Sequence, residues 1–219
     1  MQTAGKNKKK SVSKSSSRLG PNDWLDAAFD AVVEGGFDAA RVLVLAQKLG
    51  VTRGSFYWHF ADHAAMVSAL LARWRDREIG IDEALKLEST ADPAADLERM
   101  LEAALAHTGV ELENQRFELA LRGLGRRDPE VAKMLVEVDD VRLRLFERKF
   151  KHLTNDTKAS SQLAILFYLA IAGGHQALSR PVNPPQMKEY LHGIIAHYLI
   201  HQQKPVIAVP EPAAPVAVS

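Results

Sequence analysis

Apolar residues recur at helical spacing along most of this chain, and no segment beyond the first hundred residues alternates with the period of two that a half-buried strand requires. Trp24, Leu25, Ala28, Phe29, Val32 and Val33 form a first stripe, opened by Gly20-Pro21-Asn22-Asp23 and stopped by Gly35-Gly36. A short second stripe, Val42, Leu45, Ala46 and Leu49, predicts a helix from Ala39 to Leu49 that ends at Gly50. Thr52 is placed to cap a third short helix, its hydroxyl accepting an orphan backbone N–H, and Phe60-Ala61-Asp62 re-caps a fourth. The fourth carries Met66, Leu70, Leu71 and Trp74 and then turns charged, as a connector partly in solvent would.

Further on, Asp92-Pro93, Asp128-Pro129 and Asn183-Pro184 each set a capping residue before a proline at the first helical position, where its missing N–H is no loss. Helices are expected near 94–108, 111–123, 129–153, 159–179 and 185–201. The fold class is therefore all-α, about nine helices: a basic arm over 1–20, a compact three-helix unit over 21–66, a helical body over 67–203 and a Pro/Ala-rich tail over 204–219.

Charge changes this picture in one place. The net charge is +1, yet residues 1–20 hold six Lys/Arg and no Asp/Glu, which leaves 22 basic against 27 acidic residues in the rest. A basic, Ser-rich arm is expected to be disordered and suited to polyanions through counterion release, although a solubilising tail has the same composition. With no cysteine there is no disulfide, thiolate nucleophile or cysteine-ligated metal, which fits a cytoplasmic protein. The longest apolar run, Leu163 to Ala172, is about half of the roughly 20 residues that span a bilayer, and the N-terminal charges have no apolar segment behind them, so neither a membrane span nor a signal peptide is expected.

Helix, glycine turn, short helix is the pattern of a helix-turn-helix, with Gly50 free to take a left-handed conformation and Val51 able to pack between the helices. Arg53 and Ser55 then fall in the first turn of the second helix, the part that meets base edges, and Gly54 permits close backbone approach. Thr52, Tyr57 and His59 offer donors suited to phosphate oxygens. Phe56 and Phe60, four residues apart, are expected to face inward, and Trp58 is read with them as core. The run Gly50-Val51-Thr52-Arg53-Gly54-Ser55-Phe56-Tyr57-Trp58-His59-Phe60 closely resembles the recognition segment of the TetR (tetracycline-repressor-like) family, a likeness that covers residues 22–75. The resemblance also implies backbone contacts from Tyr57 and His59. Where family members carry hydroxyl residues before the second helix and several a lysine opening the fourth, this chain has Ala39-Ala40-Arg41-Val42 and Asp62-His63, which leaves Arg41 and His63 as the candidates there.

The stretch from Ala120 to Val131, with Val138-Asp139 and Arg142-Leu143 after it, resembles the regulatory half of one TetR subset. Asp139 and Arg142, three apart, are expected to pair as an exposed structural contact. Phe117, Arg122, Tyr168 and His175 are the aromatic or polar candidates for a ligand pocket on otherwise apolar helices. Small residues from Ala164 to Ala177, with Leu166, Phe167, Leu169 and Ile171, match the family's four-helix dimer interface, which would use the helices at 159–179 and 185–201. Gly173-Gly174 costs roughly 1 kcal/mol per glycine inside a helix, so it marks either tight packing or a break.

His192, His197 and His201 lack a carboxylate at matching spacing, so no metal site is expected, and neither a cofactor motif nor a catalytic constellation is present. The expected function is a homodimeric, ligand-responsive DNA-binding regulator, a repressor released from a palindromic operator by an unknown small molecule, and not an enzyme. The alternative is a helical ligand-binding or scaffolding protein that has lost DNA binding, prompted by five Lys/Arg against six Asp/Glu in residues 21–75.

Overall fold

A computed structural model describes residues 19–87, 90–105, 109–178 and 186–203, and every regular element among them is helical. The basic arm up to residue 18, the Asn183-Pro184 helix start and the tail from residue 204 lie outside the described residues.

Helix α1 (Pro21–Gly35) starts where expected: Pro21 takes the first position and the Asp23 carboxylate accepts the Gly20 backbone N–H at 2.7 Å. Gly36 then turns the chain with φ of 77°, a left-handed value that favours glycine. Instead of entering the next helix at Ala39, the chain makes a 3₁₀ turn at Phe37–Ala39 and an extended step at Arg41, so α2 is Val42–Lys48. Gly50, with φ of 68°, makes the turn into α3 (Arg53–Phe56). Thr52 occupies the capping position in extended conformation, but its hydroxyl accepts no backbone N–H, contrary to expectation. Helix α4 (His63–Leu87) is capped by Asp62, whose carboxylate accepts from the Ala65 N–H at 2.8 Å.

In the body, α5 (Pro93–Ala104) and α7 (Pro129–Thr154) begin on Asp92 and Asp128, each carboxylate accepting two backbone N–H groups. Asn155, left-handed at φ of 54°, ends α7. Between them lies α6 (Gly109–Gly125), and α8 (Thr157–Leu178) follows. Helix α8 runs unbroken through Gly173-Gly174: a Cβ on Gly174 would stand 2.7 Å from Leu105, so the glycine marks tight packing. Helix α9 (Met187–Ile195) continues as a π-helical turn over Ala196–His201.

Two cores organise the chain. The first gathers α1, α2, α3 and the opening turns of α4 around Trp24, Phe56, Met66 and Leu70, and takes in Phe117 and Leu121 of α6 with Val131, Leu135 and Val138 of α7. The second joins α5, the later part of α7, α8 and α9 around Leu97, Leu101, Phe150 and Phe167. The first core therefore extends past residue 66 into α6 and α7. Helix α4 connects the two halves, and among the described residues no helix is long and apolar enough to cross a membrane.

Candidate functional site

The helix-turn-helix is set by its core. Phe56 is fully buried and meets Trp24 edge-on at 5.3 Å, Phe60 is buried beside it, and Val51 packs against the same cluster with its N–H on the Ala46 carbonyl. With α3 so anchored, Thr52, Arg53, Gly54 and Tyr57 are exposed, and Ser55 and His59 are half-buried. Trp58, expected in the core, is 87% exposed. Helix α3 ends at Phe56 and the following turn carries Trp58 away from the Phe56–Phe60 side, which a helical wheel drawn on the sequence does not foresee.

Arg53 lies along Tyr57. Its Nη2 donates to the phenolic oxygen at 3.0 Å, and its guanidinium sits 5.9 Å from the ring centroid, so the two side chains form one unit. Arg41 is exposed and donates from Nε to the Asp38 carbonyl at 3.0 Å. His63 has an internal partner: its Nε2 lies 2.8 Å from the Ala40 carbonyl and ties the start of α4 to the entry of α2. The acidic residues of α1 are largely matched, Lys48 facing Asp30 at 3.1 Å and Glu34 at 3.6 Å, and Arg73 facing Asp26 at 2.7 Å. Five of the six acidic residues in 21–75, all but Asp38, thus stand in ion pairs or at helix starts.

In the helical body a cavity of about 420 Å³ opens between α4, α5, α6, α7 and α8. Leu85, Met100, Leu119, Phe146 and Ile171 give it apolar walls, and a charged network closes one side. Arg122 donates to Glu118 and Asp139 at 2.7 Å each and to the Tyr168 hydroxyl at 3.0 Å. Arg142 reaches Glu78 at 2.7 Å and Glu118 at 2.9 and 3.0 Å. Burial opposes the charge of Glu118, but Arg142 and Arg122 overcome it and its carboxyl is lowered to about 2. For Glu78 burial prevails over Arg142, and its carboxyl titrates above the ordinary range. Burial and a hydrogen bond to Asp139 push the Tyr168 phenol up to about 12, and burial lowers the His175 imidazole.

Arg122, Tyr168 and His175 all line this cavity. Phe117 does not: it points to the other side of α6, stacked on Phe29 at 4.9 Å and tilted against Phe37 at 5.8 Å. Asp139 and Arg142 are no simple exposed pair either. They stand 4.0 Å apart, and the close partners of Arg142 come from α4 and α6. Glu78, Asp96, Glu118 and Lys149 are site residues that the sequence reading missed; charged positions beside buried Leu97, Phe117 and Phe150 were the available signal.

Ile165, Leu166 and Leu169 of α8, Tyr190 and Ile194 of α9 and Tyr198 of the π-helical turn are exposed. Phe167 and Ile171 face the interior and do not contribute to that face. His201 pairs with Glu98, and His197 meets Gln202; among the described residues no cluster of three or more ligands suited to a metal occurs.

Residues 25–70 match the family described as "Bacterial regulatory proteins, tetR family". The chain is 40% identical over 53 residues to the tetracycline repressor protein class A from transposon 1721 of Escherichia coli, an alignment covering 24% of each protein. It is 31% identical over 77 residues to the HTH-type transcriptional regulator TtgR of Pseudomonas putida, covering 35% of this chain and 37% of that one. The chain thus spans about a quarter to a third of the length of these curated relatives. Likeness of fold reaches much further. A transcriptional regulator from Rhodococcus sp. superposes with a TM-score of 0.70 at 19% identity, covering 84% of this chain and 97% of its own. A Saccharomonospora viridis protein solved in complex with choline gives 0.67 at 18%, covering 81% and 96%. A TetR-type N-terminal domain on residues 25–70 is thus carried on a helical body whose fold is like that of these solved proteins.

Proposed function

We propose that this protein is a homodimeric DNA-binding transcriptional regulator of the bacterial cytoplasm, a repressor whose grip on a palindromic operator is released by a small molecule in the α4–α8 cavity. The observation that carries the reading is the course of α4. Its first turns place Met66, Leu70 and Trp74 in the core that holds α3, and further along the same helix Arg77, Glu78, Ile81 and Leu85 line the cavity. A ligand that prefers one position of α4 therefore biases the position of the recognition helix, and its differential affinity for the two arrangements sets the loss of DNA binding.

On the DNA side, Arg53 and Ser55 are the base-reading candidates, while Thr52, Gly54, Tyr57 and His59 approach the phosphates, with Arg41 and His63 at the flank. To reach a guanine edge, Arg53 leaves Tyr57, which frees the phenol for a phosphate; one rearrangement serves both contacts. The basic arm adds non-specific attraction. Dimerisation through the exposed faces of α8 and α9 would set two α3 helices about 34 Å apart, one turn of duplex. A Saccharomonospora viridis protein of similar fold was solved in complex with choline, which favours a small organic ligand here as well.

Selection of genomic fragments on the purified protein tests the reading. We expect enrichment of a palindrome, with Arg53→Ala lowering affinity for it by about tenfold or more while weak non-specific binding persists. Failure to enrich any palindrome overturns the assignment in favour of a helical ligand-binding or scaffolding protein without DNA recognition.

A further inference from the structure

The polar groups of the cavity are unequally satisfied, and the inequality has a sign. Its cations all have acceptors. Arg122 and Arg142 are shared among Glu78, Glu118 and Asp139; Arg99 donates to Asp96, with Lys149 3.5 Å from the same carboxylate; and Arg77 donates to the Asn114 amide oxygen. Acceptors are left over. Glu78 Oε2 takes Arg142, and among the described residues nothing donates to its Oε1, which is not enclosed by protein. His175 Nε2 lies 2.7 Å from the Ala104 carbonyl, which can only accept, so Nε2 carries the hydrogen. Its Nδ1 is then a bare acceptor, also without a partner among the described residues and also not enclosed. Glu111, exposed on the same lining, has no ion pair among the described residues. Among the side-chain amides of the lining, Asn114 Nδ2 is a donor without a partner, and that atom is fully enclosed.

We propose that the cavity takes an organic cation with N–H donors on an apolar body, a primary ammonium or amidinium, with Glu78 Oε1 as its charged acceptor and His175 Nδ1 as a neutral one. This deepens, and rests on, the reading of the cavity as the effector site. Glu78 gives only one of its oxygens to Arg142, so a bound cation meets a carboxylate oxygen to which no described residue donates. A carboxylate ligand at the same place would meet the Glu78 carboxylate itself, and drawing Arg142 off it would leave Glu78 without its cation, which is expensive. A quaternary ammonium brings charge but no hydrogen for either acceptor. At about 420 Å³ the site is at the smaller end of small-molecule cavities, and its aliphatic and aromatic walls suit a ring on a short chain. A neutral His175 is consistent with this assignment, since its buried imidazole is lowered and keeps Nδ1 available as an acceptor.

The test uses the full chain and four probes of one shape: phenylbutylamine, phenylbutanol, phenylbutyrate and the trimethylated phenylbutylammonium. Calorimetry at neutral pH is expected to rank the amine about tenfold or more above the other three, a preference that Glu78→Gln abolishes and His175→Phe reduces. The wild-type ranking stands even if a variant does not fold. Equal binding of amine and quaternary cation, preference for the alcohol or the carboxylate, failure of every probe, or a folded Glu78→Gln protein that still prefers the amine overturns the proposal. Operator binding, read separately by fluorescence anisotropy, keeps the two readings apart. Amine binding that leaves DNA affinity unchanged sinks the effector reading and supports the ligand class. DNA release by phenylbutyrate alone sinks the ligand class and supports the effector reading.

Discussion

Within the Tyr57-Trp58 pair, neighbouring aromatic residues share an exposed turn, and the larger of them has almost nothing to pack against. Phe56, one position earlier, sits between Trp24, Tyr57 and Phe60. Substitution should separate these roles: Phe56→Ala costs about 3–5 kcal/mol of unfolding free energy, whereas Trp58→Phe stays within about 0.5 kcal/mol, both read by urea denaturation. Trp24 and Trp74 are buried, so Trp58 dominates acrylamide quenching, and operator binding at this face should shield it. A second prediction concerns Glu118. Its folded carboxyl is lowered to about 2 from an ordinary 4.5, so the Arg122 and Arg142 contacts stabilise the fold fully above the ordinary value and are lost as pH falls toward the lowered one. The difference amounts to roughly 3 kcal/mol. Stability measured across that window should fall steeply in the wild type, and Glu118→Gln should be less stable at neutral pH but show a shallower fall. An unchanged slope would mean that the acid sensitivity belongs to other carboxylates, Asp96 first, which is also lowered.

Element boundaries were legible in the sequence wherever their cause was local. Asp92 and Asp128 accept the backbone groups that their place before a proline implied, and Gly50 adopts the left-handed turn that the helix-turn-helix pattern required. The start of α2 was misread by three residues, because Ala39 and Ala40 fit a helix equally well and only the turn made by Gly36 decides that they are not part of one. The cavity was legible only in part. Its network joins Glu78 of α4 to Arg142 of α7 across 64 positions and Glu118 to Arg142 across 24, separations at which spacing carries no information. Phe117 and Glu118 are adjacent, yet Phe117 packs in the first core and Glu118 lines the cavity, and no single-helix argument assigns those sides. Gly50 permits a test at this scale. Its surroundings leave room for a Cβ, so Gly50→Ala meets no clash and costs only the left-handed backbone, about 1–2 kcal/mol. Thermal unfolding should show that loss, with the helical circular dichroism of the folded protein unchanged.

The molecule as a whole poses the question of why one chain should hold a single, four-residue recognition helix. So short an element presents few side chains to a groove, and its affinity for one half-site is correspondingly modest. Joining two copies converts the second half-site contact into an intramolecular event and multiplies affinity by about 10²–10⁴ without any new contact to DNA. The face proposed for that contact is exposed: Ile165 and Leu169 lie one turn apart on α8 in line with Gly173, and Tyr190 and Ile194 repeat the spacing on α9, with Tyr198 in the π-helical turn that follows. Leu169 is 58% exposed and lies outside both cores, so Leu169→Glu should leave the fold intact while placing two like charges near the dimer axis. We expect ultracentrifugation to give half the wild-type mass, circular dichroism to be unchanged, and operator affinity to fall by about 10²–10⁴, with binding of a single half-site duplex unaltered. A variant that remains a dimer would show that copies associate through another face. A monomer that still binds the full palindrome as tightly would show that α3 does not depend on its twin.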